Sequence, residues 1–95
     1  MKTDNIKEIG IDASGRLCIF PEKENFSMIW RAASEVHWDN NNSFLYSPKP
    51  REWSYYDWFK HIIATVKDAG CDLILTNDTL WINIPDLLKQ EIITE

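Results

Sequence analysis

The stretch from Trp53 to Gly70 specifies a whole helix, and no other segment constrains the fold as tightly. Ser54 is placed to cap it, Asp57 three residues later can close a capping box, and Trp53 ahead of the cap can staple onto Trp58. Tyr55, Phe59, Ile62, Val66 and Ala69 fall on one stripe, which Trp58 and Ile63 widen, and Gly70 supplies a left-handed stop. A stripe of that width has to be buried, and the remaining apolar runs are short enough to be the strands that bury it.

Ile6 to Asp12 alternates Ile9 and Ile11 with polar neighbours, and Arg16 to Phe20 is a second strand-like run. Ala13-Ser14-Gly15 between them reads as a hairpin turn, and Pro21 ends the second strand. Phe26, Ile29, Trp30, Ala33 and Val36 keep helical spacing while Met28, Trp30, Ala32, Val36 and Trp38 almost keep strand alternation, and the stretch is divided into a helix from about Glu24 to Ser34 and a strand from Glu35 to Trp38. Asp39 to Asn42 is a turn by composition, and Phe44 to Ser47 returns as a strand. Pro48-Lys49-Pro50 is a stiff connector into the capped helix. Cys71 to Thr76 and Thr79 to Ile84 are predicted as a third hairpin around Asn77-Asp78, and Pro85-Asp86 opens a last helix packed through Leu87, Leu88 and Ile92. The expected fold is α+β, in the order ββαββαββα, with a mostly antiparallel sheet built from three hairpins and helices packed on one face. Ninety-five residues suit a single domain spanning residues 1–95.

Fifteen acidic residues against ten basic ones give a formal charge of −5, and the basic residues are scattered rather than gathered on one stretch. That balance repels phosphate backbones, so no nucleic-acid partner is expected. No uncharged apolar run approaches the ~18 residues that span a bilayer, and Met1 to Asn5 is polar with no apolar segment behind it. The expectation is a cytoplasmic protein with no membrane partner. Cys18 and Cys71 fit no C-x-x-C pattern and are expected as buried, reduced thiols.

Glu35-Val36-His37-Trp38-Asp39 would place Glu35, His37 and Asp39 on one side of a strand, an arrangement suited to metal ligation or acid–base work. The solvated face of an edge hairpin, with Val36 and Trp38 turned to the core, accounts for the same pattern, and no metal is expected there. His61 is expected as an exposed helical histidine. No serine lies in a G-x-S-x-G context, and Gly10, Gly15 and Gly70 are too scattered to cradle a phosphate. No catalytic residue, no cofactor and no enzymatic activity are therefore expected. Five tryptophans exceed what one small core can enclose, so some must reach the surface, where they anchor interfaces. Trp38 and Trp81, on hairpins, join Glu35, His37 and Asp39 as the candidate partner-binding set.

The run Phe44-Leu45-Tyr46-Ser47-Pro48-Lys49-Pro50-Arg51-Glu52-Trp53-Ser54-Tyr55, with Glu35 to Asp39 before it, Asp57-Trp58-Phe59 after it, then Gly70-Cys71 and Trp81 to Ile84, resembles the small tryptophan-rich immunity proteins of bacterial polymorphic-toxin systems. That resemblance implies a cytoplasmic α+β protein, monomeric or homodimeric, that binds and blocks a cognate toxin, a nuclease among the candidates. An acidic surface would speed its encounter with a basic toxin. Two alternatives stand beside it. A small ligand-binding or enzymatic domain using Glu35, His37 and Tyr56 would show a deep pocket, and a mobile-element protein with a structural or homodimeric role would show itself by its mass in solution.

Overall fold

The computed structural model describes residues 1–94. Strand β1 (Lys2–Ile11) is the hub: β2 (Leu17–Pro21) runs antiparallel along one side, while β5 (Cys71–Ile74) and β6 (Leu80–Ile82) lie end to end, both parallel, along the other. β4 (Phe44–Tyr46) adds antiparallel to β2, and β3 (His37–Asp39) adds antiparallel to β4. The order across the sheet is β3-β4-β2-β1-β5, with β6 also on β1. Helices α1 (Tyr55–Asp68) and α2 (Asp86–Ile93) share one core with the inner face of the sheet.

The α+β class is as expected, but the sheet is mixed, and two of the three expected hairpins form. β5 and β6 do not pair with each other. Thr76 to Thr79 makes a tight turn held by the Thr76 N–H on Thr79 Oγ1 at 3.0 Å and the Asp78 N–H on Thr76 Oγ1 at 3.1 Å. From inside that turn the buried Thr79 hydroxyl donates to the Ile6 carbonyl at 2.7 Å. The bond fastens the turn to β1, so the chain continues along β1 instead of folding back. The helix expected over residues 24–34 is also absent, and Ile29–Ala32 forms a single 3₁₀ turn. Its start has no side-chain cap, and Ala33 closes it in the left-handed region at φ 52°. Upstream, the Asp4 carboxylate accepts the N–H groups of Lys23 and Glu24, both at 2.9 Å, which holds this stretch to β1 rather than to a helix axis.

α1 forms as its sequence specifies. Ser54 Oγ accepts the Asp57 N–H, Asp57 returns the bond to the Ser54 N–H, and the Trp53 and Trp58 rings meet at 4.9 Å. Trp58, Phe59, Ile62 and Val66 are buried against Ile9, Leu17, Ile19 and Leu45 of the sheet. Gly70 takes φ 101° past the helix end, and its carbonyl accepts the Lys2 N–H at 2.9 Å, turning the chain into β5. Phe59→Ala should destabilise the fold by about 3–5 kcal/mol through the cavity left, and Ser54→Ala by about 0.5–2 kcal/mol through the lost cap, both read from urea melts.

Asp4 gives a pH test. Burial by itself would raise its carboxyl, but the N–H groups of Lys23, Glu24 and Asn5 and the Lys23 charge outweigh it and hold the group below its ordinary 3.8. A folded value below the unfolded one contributes stability at neutral pH that is lost as pH falls below 3.8. Asp4→Asn should cost about 1.5–3 kcal/mol at pH 7, and the gap to the wild type should narrow in melts at pH 3.

Candidate functional site

Paired residues of a sheet share a face, so the register sorts every strand residue. Ile9, Ile11, Leu17, Ile19, Leu45, Trp38 and Trp81 point inward. The outer face reads Asp39, Phe44, Phe20, Glu8 and Leu80 across one row. The next row reads His37, Tyr46, Cys18, Gly10 and Ile82. An outer face of this kind is ordinarily polar. Here Phe20 and Phe44 stack at 4.8 Å, Tyr46 lies under the Arg16 guanidinium at 4.3 Å, and Leu80 and Ile82 stay 54% and 45% exposed. No second layer covers them among the described residues. A Cβ at Gly10 would come nearest to Ile82 of the next strand, 3.2 Å from its carbonyl oxygen, and then to Glu8 of its own.

Cys18 sits in the middle of this face, buried between its neighbours. Burial, with the Asp12 carboxylate nearby, pushes its thiol up to about 12. A thiol held neutral in this way is a poor nucleophile at physiological pH.

A second feature lies off the sheet, where the loop at residues 33–35 and the connector at residues 48–53 meet α1. The connector leaves β4 through Ser47, whose hydroxyl is buried, accepts the Leu17 N–H at 3.1 Å and donates to the Pro48 carbonyl at 2.7 Å. Tyr55 then donates to the Gly15 carbonyl at 2.8 Å, locking the start of α1 to the first hairpin turn. On the other side, Ala33 and Glu35 take φ 52° and 63°, a conformation that disfavours residues bearing a Cβ. His61 Nε2 bonds the Ser34 carbonyl at 2.8 Å. A carbonyl only accepts, so this nitrogen carries the proton and clamps the loop to α1. Between loop, connector and helix is an open hollow of about 550 Å³ lined by Ser34, Glu35, Lys49, Arg51, Glu52 and the rings of Trp53, Trp58 and His61. The three rings pack on one another with centroids 4.9, 5.1 and 5.4 Å apart.

The candidate residues from the sequence are thus divided among three places. His37 and Asp39 lie on the outer sheet face, with His37 tilted on Tyr46 at 5.2 Å. Glu35 precedes β3 in the left-handed region and lines the hollow instead of sharing their face. Trp38 points inward and meets Phe26 edge-on at 5.8 Å, its indole N–H buried without a partner among the described residues. Trp81 is half-buried on the inner side under the Lys89 ammonium at 5.3 Å. Among the described residues no three His, Cys, Asp or Glu side chains converge on a point that could hold a metal ion. Tyr56 does not line the hollow, where His61, half-buried instead of exposed, takes part.

The sequence model of one protein family, described as Integron Cassette Protein Hfx_Cass5, matches residues 4–79. The chain belongs to this Hfx_Cass5 family of integron cassette proteins. A solved structure of an Hfx_Cass5 integron cassette protein from the mobile metagenome of North West Arm Sewage Outfall is 39% identical, over 97% of this chain and 93% of that one, with a TM-score of 0.53. No curated protein matches the chain. Membership of the Hfx_Cass5 family overturns the resemblance to polymorphic-toxin immunity proteins, because the run from Glu35 to Trp58 that carried most of it lies inside the matched span. Those tryptophan-rich words have structural causes in this Hfx_Cass5 member: Trp53 and Trp58 form the helix staple, and Trp38 packs inward. No helix of the described residues is long and apolar enough to cross a membrane.

The burial of both cysteines gives a chemical check. Neither Cys18 nor Cys71 should react with a disulfide reagent at pH 7.5–8 (about one unit below a free thiol's value) while the protein is folded. Both should react once urea unfolds it, as followed by thiolate absorbance.

Proposed function

We propose that this cassette protein acts by binding rather than by catalysis, and that its working unit is a pair of chains joined through the outer sheet faces. The observation that carries this reading is the apolar outer face, where Leu80 and Ile82 are exposed, Phe20 and Tyr46 are half-buried and Phe44 is buried beside them, on a sheet with no second layer among the described residues. Exposed apolar side chains gathered on one sheet face mark a contact site. Two sheets pack face to face about 10 Å apart when both inner faces are apolar.

A second copy is the occupant that fits the layout. The band is aliphatic at the β6 end, aromatic at the β4 end and low in the middle at Gly10 and Cys18. A two-fold axis running between β2 and β1 sets Leu80 and Ile82 of each copy on Phe44 and Tyr46 of the other, and such self-complementarity is what an isologous dimer requires. The Asp12–Arg16 pair at 2.7 Å neutralises itself at the end of the face. Glu8, between Phe20 and Leu80, is the unfavourable member, because its carboxylate would lose water on association. A face roughly 20 Å wide, from five strands at ~4.8 Å spacing, belongs at the small end of specific interfaces, so the pair is a weak and reversible one.

Sedimentation velocity over a concentration series tests this. The mass should climb from 11.2 kDa toward twice that value. Leu80→Glu with Ile82→Glu should hold it at one chain with an unchanged far-UV spectrum, and Glu8→Gln should tighten association. A wild type that stays at one chain at millimolar concentration, or a double variant that associates equally well, overturns the reading.

A further inference from the structure

The hollow beside α1 is separate from the sheet face and is not needed for pairing. We propose that it binds a zwitterion with a flat apolar body, the chemical class of the free aromatic α-amino acids. Four charged side chains line it, Glu35 and Glu52 against Lys49 and Arg51. None of the four is in an ion pair among the described residues, whose ion pairs are Lys2–Glu24, Arg16–Asp12 and Lys60–Asp57. Two carboxylates and two cations that line one hollow without neutralising each other complement a ligand bearing both signs. A purely anionic ligand would meet the repulsion of Glu35 and Glu52 in a chain already at −5, and a purely cationic one would meet Lys49 and Arg51.

The apolar part of the ligand has its own wall. Trp53 is 47% exposed although it stacks on Trp58, so one side of the indole is held by the staple while much of the rest remains open. Trp58 is buried, and His61 is fixed by its bond to Ser34, so the wall is set before any ligand arrives. An aromatic ring offset-stacked on Trp53 would leave its ammonium to the carboxylates and its carboxylate to Arg51, whose planar fork matches that group. Pro48 and Pro50 stiffen the connector that carries Lys49 and Arg51, and the Lys49 stem packs beside Gly15, where a Cβ would stand 3.2 Å from it. A hollow of about 550 Å³ is within the usual range for a small-molecule site.

Indole N–H signals of ¹⁵N-labelled protein, with Trp53→Phe to assign them, read the site directly. The probes are L-phenylalanine, 3-phenylpropanoate, which lacks the ammonium, and 2-phenylethylamine, which lacks the carboxylate. L-phenylalanine should shift the Trp53 and Trp58 signals saturably, and each analogue should bind at least about tenfold more weakly, a single lost charged contact. Arg51→Met should weaken L-phenylalanine by about tenfold and leave 2-phenylethylamine unchanged. Glu35→Gln with Glu52→Gln should weaken L-phenylalanine and leave 3-phenylpropanoate unchanged or tighter. All these positions are solvent-facing, and far-UV spectra verify that the variants fold. Equal or tighter binding of either analogue overturns the zwitterion assignment. Absence of saturable shifts at Trp53 with all three probes overturns the site, whatever the sedimentation results show for pairing.

Discussion

At Lys7 strand β1 carries one residue more than its partner, because Ile6 faces Pro21 while Glu8 faces Phe20. A bulge of this kind reverses the alternation beyond it. Before it Asp4 and Ile6 face inward, and after it Ile9 and Ile11 do, so one strand can serve both the buried anchor at its start and the core in its second half. The same irregularity separates β5 from β6, whose pairings with β1 stop at Asn5 and resume at Glu8, and the Ile6 carbonyl in the gap is taken by Thr79. Without the bulge, Ile9 would turn outward and α1 would lose a residue it packs on.

What was legible in the sequence was local. The cap, staple, stripe and stop of α1 involve residues within one turn of each other, and the first hairpin turn is set by Asp12, which accepts the Ser14 and Arg16 N–H groups, and by Gly15 at φ 80°. The parallel pairings were illegible for a physical reason. Lys2 to Asn5 is polar and gives no strand periodicity, and its partners are Cys71 to Ile74, far along the chain. The turn at Asn77-Asp78 has hairpin composition, but a bond from Thr79 to a carbonyl 73 residues away decides its direction. Helical spacing around Phe26 and Ile29 was real in that both are buried, yet a 3₁₀ turn is enough to bury them.

The candidate surfaces were legible in composition and illegible in arrangement. Surplus tryptophan does reach solvent, at Trp30 and Trp53, exposed 64% and 47%. Alternation put Glu35 beside His37 and Asp39, and a single left-handed residue breaks that alternation before β3 begins. The apolar outer face could have been suspected from Leu80-Trp81-Ile82, a run apolar on both sides, which a one-sided sheet does not need. The hollow had a fainter signal in His61, three residues after Trp58 and so on the same side of the helix as the staple.

Strain points to the same region. Among the described residues four other than glycine have positive φ, and two of them, Ala33 and Glu35, bracket Ser34. Left-handed backbone at such residues costs roughly 1–2 kcal/mol each, which the fold must offset through contacts that the strained geometry makes possible. The core contact is Val36, buried just after the loop, and glycine at 33 or 35 would reach it with less strain. Glu35 is exposed and adds no side chain to the core, whereas it lines the same hollow as Lys49 and Arg51. Strain kept where packing does not demand it, at a charged residue lining the same hollow as the Trp53, Trp58 and His61 rings, is consistent with the ligand site proposed for that hollow.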